Sequence, residues 1–407
     1  MNKWQEIKLG GLIDINQSSI GRNYEFENIR YYDISSIGTG VAEDPKNLSI
    51  SEAPSRAKRI IKDGDTILAT VRPGNRSFYY FKKARENDIA STGFAVISPK
   101  NNLIDNKFLY YLTSAQSFTN YLVSNEQGAT YPAITPSVIN RVKINLPPLP
   151  TQQKIAKILS NYDDLIENNL KRIKLLEESA RLTYEEWFLR FRIDGKKLEI
   201  DSDTGLPFGW ECKLMKDFGE VVTGKTPSTD NESYYGGDIP FVKTPSMHGN
   251  TYTLETADYL TNLGANSQQN KFLSKNSLMV SCIGTAGVYS LVAGNCQTNQ
   301  QINSIRFYKD EYTFYIYGFA GHLTNVLDAI GSNGATMTNV NKTKFENIKA
   351  PMPSIDLLER FHNTFNSNFE SILNIMKQNQ LLKEARDILL PRLMTGMIDT
   401  DDMDIAI

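Results

Sequence analysis

Three cysteines, three histidines and three tryptophans are all that 407 residues contain of these types. Cys212, Cys282 and Cys296 form no CxxC pair and no even set, so neither a disulfide framework nor a thiolate metal site is expected, and a reducing cytoplasm is the simplest location. His248, His322 and His362 lack HxxxH spacing, which leaves a metal centre without ligands. No apolar run approaches the roughly eighteen residues that mark a membrane span. The start, Met1-Asn2-Lys3-Trp4-Gln5-Glu6, offers no hydrophobic stretch for a secretory signal. No GxSxG elbow occurs, and no glycine-rich loop follows a buried strand as a dinucleotide or S-adenosylmethionine site requires. Asn145-Leu146-Pro147-Pro148 is not the Asn-Pro-Pro-aromatic motif of adenine methyltransferases. The carboxylate pairs Asp163-Asp164 and Glu177-Glu178 fall in helical sequence and need no acid–base role. Charge of one sign is also missing: 44 basic against 46 acidic side chains give −2, which argues against a protein that holds nucleic acid by bulk positive charge.

What is present is a unit written twice. Trp4 with Lys8-Leu9 returns as Trp210 with Lys213-Leu214, and Tyr31–Ile37 aligns with Phe241–Met247. Asp65–Ala69 matches Asn276–Val280, Gly128-Ala129-Thr130 matches Gly334-Ala335-Thr336, and Pro148-Leu149-Pro150 matches Pro351-Met352-Pro353. Five matches in one order, with offsets of 206, 210, 211, 206 and 203, indicate a duplication with small insertions. Each copy opens with about 150 residues of short β-type runs, such as Thr66–Val71, Phe94–Ile97 and Leu278–Ile283, broken by Gly, Pro, Asn and Ser. Each then passes a Pro-rich stop into helical sequence, with Thr151 and Ser354 placed as N-caps.

In the first helix Leu159, Tyr162, Ile166, Asn169, Ile173, Leu176, Ala180 and Trp187 mostly alternate in steps of three and four. In the second, Leu358, Phe361, Phe365, Asn368, Ile372, Ile375, Asn379, Leu382 and Leu389 do the same. Three to four heptads of this kind predict a coiled-coil seam, with the asparagines fixing register. Two amphipathic helices, each packed on its own domain, would explain the apolar faces but not the shared period.

By segment, residues 1–150 carry 18 basic and 14 acidic side chains, 151–195 carry 8 and 8, 196–353 carry 13 and 15, and 354–407 carry 5 and 9. Basic residues cluster at Arg56-Lys58-Arg59-Lys62 and at Arg72, Arg76, Lys82, Lys83 and Arg85, either as a solvated face or as a phosphate-contacting patch. Gly219–Thr226 satisfies the phosphate-loop pattern GxxxxGK[ST], yet Lys213–Phe218 is too polar for the buried strand it needs, and Pro227 prevents a helix from starting at Lys225. A strand followed by a turn is expected there. The polar loops Thr70–Arg76, Ser91–Gly93, Asn299–Gln301 and Gly128–Tyr131 flank apolar runs and carry the side chains that pair with guanine and adenine edges. They are either a recognition surface or ordinary satisfied turns.

Read together, these stretches resemble the specificity subunits of type I restriction-modification systems along essentially the whole chain. Pro148-Leu149-Pro150-Thr151-Gln152-Gln153-Lys154-Ile155-Ala156-Lys157-Ile158-Leu159, followed by Asp163–Glu167 and Leu175-Leu176-Glu177, is similar to that family's central conserved helix. Gln152 stands where Glu is usual, a minor departure. Thr223–Ser228, Ile283–Gly287, Asn299–Asn303 and Ser91–Val96 resemble recurrent stretches of its recognition domains, and Leu389–Gly396 resembles the distal conserved end.

The resemblance implies an α+β chain: two β-rich target recognition domains, 1–150 and 196–353, separated by two long antiparallel coiled-coil helices, 151–195 and 354–407. Each domain would read one half of a bipartite DNA site. The helices would act as spacer and as dock for two methyltransferase subunits, with restriction subunits completing an ATP-dependent nuclease. S-adenosylmethionine, ATP and magnesium would sit in those partners and not in this chain. A helix of about 30–35 residues is on the order of 45–50 Å long, which sets the half-sites roughly one DNA turn, about 34–36 Å, or slightly more apart. The residues expected at the DNA are Arg72, Asn75, Arg76, Thr92 and Tyr131 in the first domain, and Lys243, Thr285, Asn299, Gln300, Gln301 and Thr336 in the second. The other reading is a coiled-coil scaffold whose β-rich domains bind proteins, while a nucleotide hydrolase using Gly219–Thr226 is disfavoured. Near-neutral charge then means weak, salt-sensitive DNA binding by the isolated chain and tight binding in the assembly.

Overall fold

Short β-branched and aromatic runs bounded by Gly, Asn and Pro become strands in the computed structural model, which describes residues 4–21, 24–100, 103–128, 130–331 and 338–400. The chain divides into two compact units, residues 1–167 with 381–407, and residues 168–380.

In the first unit the strands are β1 (Gln5–Lys8), β2 (Ile13–Ile15), β3 (Asn28–Tyr32), β4 (Lys46–Ser49), β5 (Ala57–Ile60), β6 (Thr66–Ala69), β7 (Phe78–Tyr80), β8 (Asp88–Ser91), β9 (Phe94–Pro99) and β10 (Lys143–Leu146). Helices α1 (Asn106–Ser114), α2 (Gln116–Ser124) and α3 (Pro136–Arg141) precede β10, and α4 (Leu149–Tyr184) follows it. The strands form sheets ordered β2-β9-β6-β7 and β4-β3-β8-β5, and β1 pairs with β10. Alternation sends Phe94 and Val96 of β9 with Ile67 and Ala69 of β6 toward Tyr32 and Ala90 of the other sheet. Ala95, Ile97 and Leu68 face the opposite way, onto Phe108, Leu109, Ile139, Ile155 and Leu159. A sheet buried on both faces reads as an unbroken apolar run, which is why these strands stand out in the sequence.

The second unit opens with the end of α4, followed by a hairpin of β11 (Arg192–Ile193) and β12 (Lys196–Lys197), and continues through β13 (Glu211–Leu214), α5 (Met215–Phe218), β14 (Gly219–Thr223), β15 (Tyr235–Val242), β16 (Tyr252–Thr253), β17 (Asp258–Leu260) and α6 (Asn262–Asn266). There follow β18 (Leu278–Ser281), β19 (Ile283–Gly284), β20 (Tyr289–Val292), β21 (Gln297–Thr298), β22 (Ile302–Phe307), α7 (Tyr312–Ala320), α8 (Thr324–Gly331), β23 (Thr338–Asn339), α9 (Lys342–Glu346), β24 (Lys349–Met352) and α10 (Ile355–Met394). Its sheets are β14-β22-β18-β20-β16 and β17-β15-β21, with β13 on β24 and β19 on β23. Val222, Val242, Met279 and Ile302 fill the space between the sheets, while Val221, Leu278, Val280 and Ile305 face Phe314, Phe345, Phe361 and Ile372. The phosphate-loop look-alike is strand β14, antiparallel to β22. A Cβ on Gly224 would lie 2.1 Å from the Asn299 carbonyl, so this glycine serves close backbone approach.

The duplication is exact in its frame elements and drifts between them. Gln5 opposite Leu146 becomes Glu211 opposite Met352, and the first residues of α1 and α7, and of α4 and α10, are likewise 206 apart. This shifts two expected matches. Leu146 aligns with Met352, so Pro148 corresponds to Ser354 and not to Pro351. Thr66 pairs with Ile97 as Leu278 pairs with Ile305, which makes the β6–β18 offset 212 rather than 211. A one-residue slip matters because it exchanges faces: only at 212 do Ile67 and Met279 both enter the space between sheets.

Thr151 is the third residue of α4 and not its cap, because Pro150 is tolerated in a first turn and the Pro-rich stretch belongs to the helix. Ser354 directly precedes α10, as expected. Gln152, nearly fully buried, accepts from the Asp105 N–H at 2.9 Å and donates to the Pro147 carbonyl at 2.8 Å. A glutamate could not make the second bond, so this departure is more than minor.

Within each unit the long helices run antiparallel. In the first, Ile155 and Leu159 share a core with Leu390 and Leu393, and Asp163 meets Arg386. In the second, Asn169 meets Asn379 and Trp187 meets Phe361. Leu159, Ile166, Asn169, Ile173 and Ala180 are buried in α4, and Leu358, Phe361, Phe365, Ile372, Ile375 and Asn379 in α10, while Tyr162, Leu176, Leu382 and Leu389 are half-buried. Asn368 is also only half-buried; its neighbour Phe369 takes the inner place and stacks on Phe314 at 4.0 Å. Asn169 donates to Asn379 at 2.8 Å and to Gln378 at 3.2 Å. The residues 206 away from this pair are Ile375 and Ile173, so the duplicate carries isoleucine where this contact carries amides. Asn169→Leu alone should strand the Asn379 amide and cost about 1–3 kcal/mol. Thermal unfolding of Asn169→Ile with Asn379→Ile should recover that loss, and a double variant as unstable as the single one would show that the amides do not act as a pair.

Candidate nucleic-acid interface

At one end of the first unit, three loops are stitched together by backbone hydrogen bonds. The Thr70 N–H donates to Gly93 and the Ile134 N–H to Thr70, each at 2.8 Å, and the Arg72 N–H donates to Pro132 at 2.7 Å. Gln127 and Ala133 exchange two bonds of 2.9 Å. Loops 70–76 and 91–93 and residues 127, 128 and 130–134 therefore form a single tip. Pro73–Asn75 is one 3₁₀ turn flanked by Arg72 at φ 48° and Arg76 at φ 55°. A left-handed conformation costs a non-glycine residue roughly 1–2 kcal/mol, so two in five residues need a reason.

The Arg72 guanidinium lies over the Tyr131 ring, 5.3 Å from its centre, and that ring is 70% exposed. Asn75 and Thr92 are exposed beside it, and the Thr92 N–H donates to the Arg56 carbonyl at 2.8 Å, which brings part of the first basic cluster to this tip. Arg76 turns inward instead. It donates to the Ser114 carbonyl at 2.8 Å and to Gln116, and it sits over Phe78. Lys82, from the second basic cluster, pairs with Asp164 at 3.5 Å.

The second unit repeats the stitching with different side chains. Ile283 opposite Asn339 reproduces the Val71–Ala133 bridge, and Cys282 makes the bonds of Thr70, donating to Gln301 at 2.8 Å and accepting from Val340 at 2.9 Å. Gly284 stands where Arg72 stands and is also left-handed, at φ 80°. Thr285 is exposed next to it. Gln300 occupies the position of Thr92, exposed, with its side-chain Oε1 accepting from the Thr226 hydroxyl at 2.7 Å. Asn299 is buried and folded onto half-buried Gln301, donating to its side chain at 3.0 Å and accepting from its N–H at 3.2 Å. Thr336 lies outside the described residues.

Lys243 is half of a cross-strand ion pair, 2.8 Å from Asp258. The first unit has the same pair with the charges exchanged, Asp33 and Lys46. Against partial burial, the Lys46 ammonium and the Ser35 hydroxyl hold the Asp33 carboxyl below its ordinary range. The structure thus gathers Arg72, Asn75, Thr92 and Tyr131 at one tip, and Thr285 and Gln300 at its counterpart. Arg76, Lys243, Asn299 and Gln301 have intramolecular partners, and exposed Gln300 has one for its side-chain oxygen, the Thr226 hydroxyl. Arg56 belongs with the first tip, and only its place in a basic run signalled it. Among the described residues, no group of three or more His, Cys, Asp or Glu side chains could hold a metal ion, and no helix is long and apolar enough to cross a membrane.

Comparison with known proteins bears on what these tips contact. A family model described as the type I restriction modification DNA specificity domain matches residues 1–178 and 207–379. The chain is 30% identical over 465 residues to the specificity subunit of the type I restriction enzyme HindI of Haemophilus influenzae, covering 98% of this chain and all of that one. It is 25% identical to the MjaIX specificity subunit of Methanocaldococcus jannaschii, covering 89% and 84%. The crystal structure of a type I restriction-modification S subunit from M. genitalium shares the fold, with a TM-score of 0.58 over 96% of both chains at 14% identity.

The backbone at Arg72 suits glycine, so Arg72→Gly should leave the thermal midpoint unchanged or raise it, by at most about 1 kcal/mol in stability. A loss above roughly 2 kcal/mol would mean that Arg72 is kept for packing and not for what its side chain presents.

Proposed function

Because the chain belongs to the type I restriction-modification specificity subunits, its role is sequence-specific DNA recognition without catalysis, and we propose that each tip reads one half of a bipartite target. The first recognition domain, 1–150, uses Arg72, Asn75, Thr92 and Tyr131; the second, 196–353, uses Thr285, Gln300 and Thr336. Arg76, Lys243, Asn299 and Gln301 shape these surfaces through the contacts described above. The observation that carries this reading is Arg72: a strained, exposed guanidinium, held over an exposed ring, at a position its own duplicate fills with glycine. Arginine gives the commonest specific major-groove contact, bidentate to guanine, and phosphate contacts from Arg56 and its neighbours would position the domain.

The helices separate the two domains and dock the partners. Leu175 and Leu182 of α4 are 66% and 45% exposed, and Leu381 and Ile388 of α10 are 65% and 55% exposed. Each pair is one heptad apart and the pairs lie 206 residues apart, so each unit carries the same outward apolar patch. Two equivalent patches fit two methyltransferase subunits, with S-adenosylmethionine in those subunits and ATP and magnesium engaged once restriction subunits join. A chain acting on chromosomal DNA in this way works in the cytoplasm.

Methylome sequencing of cells carrying the chain and its methyltransferase tests the first part. Arg72→Ala should relax preference at one base of one half-site and leave the other half unchanged, whereas uniformly weaker methylation of all sites would make Arg72 a phosphate contact. For the second part, Leu175→Asp with Leu182→Asp should remove one methyltransferase subunit from the assembly, and Leu381→Asp with Ile388→Asp the other. Native mass spectrometry that still finds two subunits in both double variants would exclude this dock.

A further inference from the structure

The two units are duplicates, yet they differ at a half-buried place beside the long helices. In the first unit Arg386 of α10 pairs with Asp163 of α4 at 2.5 Å, and the Tyr111 hydroxyl of α1 donates to the same carboxylate at 2.6 Å. The positions 206 residues away are Ala180, Phe369 and Tyr317. Tyr317 and Phe369 still meet edge to face, with centres 5.5 Å apart. Where the first unit places a guanidinium, the second has a methyl group and a cleft of about 650 Å³ lined by all three residues.

The cleft contains a carboxylate without a cation. Glu177 of α4 is half-buried and accepts from the Thr251 hydroxyl, which in turn accepts from Tyr317 at 3.3 Å. No ion pair reaches Glu177 among the described residues; at the rim, Arg181 is engaged by Glu178 and Glu185, and Lys174 is exposed. Burial pushes the Glu177 carboxyl above its ordinary range, as a carboxylate lacking a counter-charge should show. The remaining walls include the rings of Tyr184, Tyr289 and Phe361. A carboxylate framed by aromatic faces is the surrounding that a planar guanidinium suits, since it can fork onto oxygen and stack on rings at once. The same two turns of α4 carry Leu175 and Leu182 on another face of the helix, so a partner seated on that patch would have the cleft beside it.

We propose that this cleft is a socket for an arginine side chain of the methyltransferase subunit docked on the second unit, whose guanidinium takes the place that Arg386 fills in the first unit and pairs with Glu177. The inference rests on the docking reading above. It makes the two docks unequal: one offers an apolar patch alone, the other a patch with a buried charge anchor, the kind of residue that dominates an interface.

The test uses the full chain with its methyltransferase subunits, followed by native mass spectrometry and binding titration. Glu177→Gln keeps a hydrogen-bonding group near Thr251 but removes the charge, and should weaken binding of one of the two subunits at least tenfold while sparing the other. Ala180→Arg supplies the chain's own guanidinium, as the first unit does; it should fold at least as stably as the parent and show the same selective loss. With the isolated chain, millimolar N-acetyl-arginine amide should raise the thermal midpoint of the parent but not of Glu177→Gln, and N-acetyl-norleucine amide should do nothing. A parent chain that assembles normally, with both variants binding two subunits at parental affinity, would overturn the socket and leave the dock standing. Failure of the parent to bind methyltransferase subunits would overturn the dock itself. An equal shift by the norleucine compound would mean that the cleft takes any apolar chain and not a guanidinium.

Discussion

Each unit contains a sheet with two apolar faces, and its companion sheet can cover only one of them. Phe94 and Val96 are covered by the second sheet, but Ala95 and Ile97 on the reverse side of the same strand need another layer. Burying a side chain of this kind is worth about 1.5–3 kcal/mol, so a whole exposed face would cancel the stability of a domain. The short helices of each unit and the long helices together supply that layer, and the rest of the architecture follows. The first unit takes the start of α4 and the end of α10, and the second takes the end of α4 and the start of α10. A helix required by two cores cannot shift along its axis without opening both, which explains why the frame elements keep one offset while loops and sheet strands between them vary.

That division separates stability from specificity. Backbone bonds to Thr70 and Cys282 hold the two tips in the same geometry, although few side chains are shared between them. Arg72 and Gly284 share a left-handed backbone, and Asp33–Lys46 and Lys243–Asp258 share a bridge with its charges reversed. Exposed positions on such a platform can change what they contact without disturbing what holds them, and so the halves of one chain can come to read different sequences.

Much of the frame was legible in the sequence because its signals are local. Alternating or unbroken apolar runs marked the strands, the Pro-rich stop and three-four spacing marked the helices, and Pro227 was enough to dismiss the phosphate-loop pattern. Register was harder, since Pro-Leu-Pro against Pro-Met-Pro is a tempting match that only strand pairing moves by three residues. Of the loop residues, exposure separated Arg72, Thr92, Tyr131 and Gln300 from Asn299 and Arg76, and nothing in composition distinguishes a polar side chain spent on its own turn from one presented outward. Gln152 shows the same limit: its value depends on the Pro147 carbonyl and the Asp105 N–H, partners that no spacing rule connects.

The split make-up of the first unit also sets an order for its birth. Residues 168–380 are contiguous and can close their core as soon as they leave the ribosome, whereas the first unit waits for Leu390 and Leu393 to complete a core begun at the start of synthesis. Through most of translation the nascent chain therefore carries a core that lacks its last side chains. A truncated product would keep that core incomplete and, lacking its last helix turns, would be a candidate for chaperones and proteases rather than for assembly.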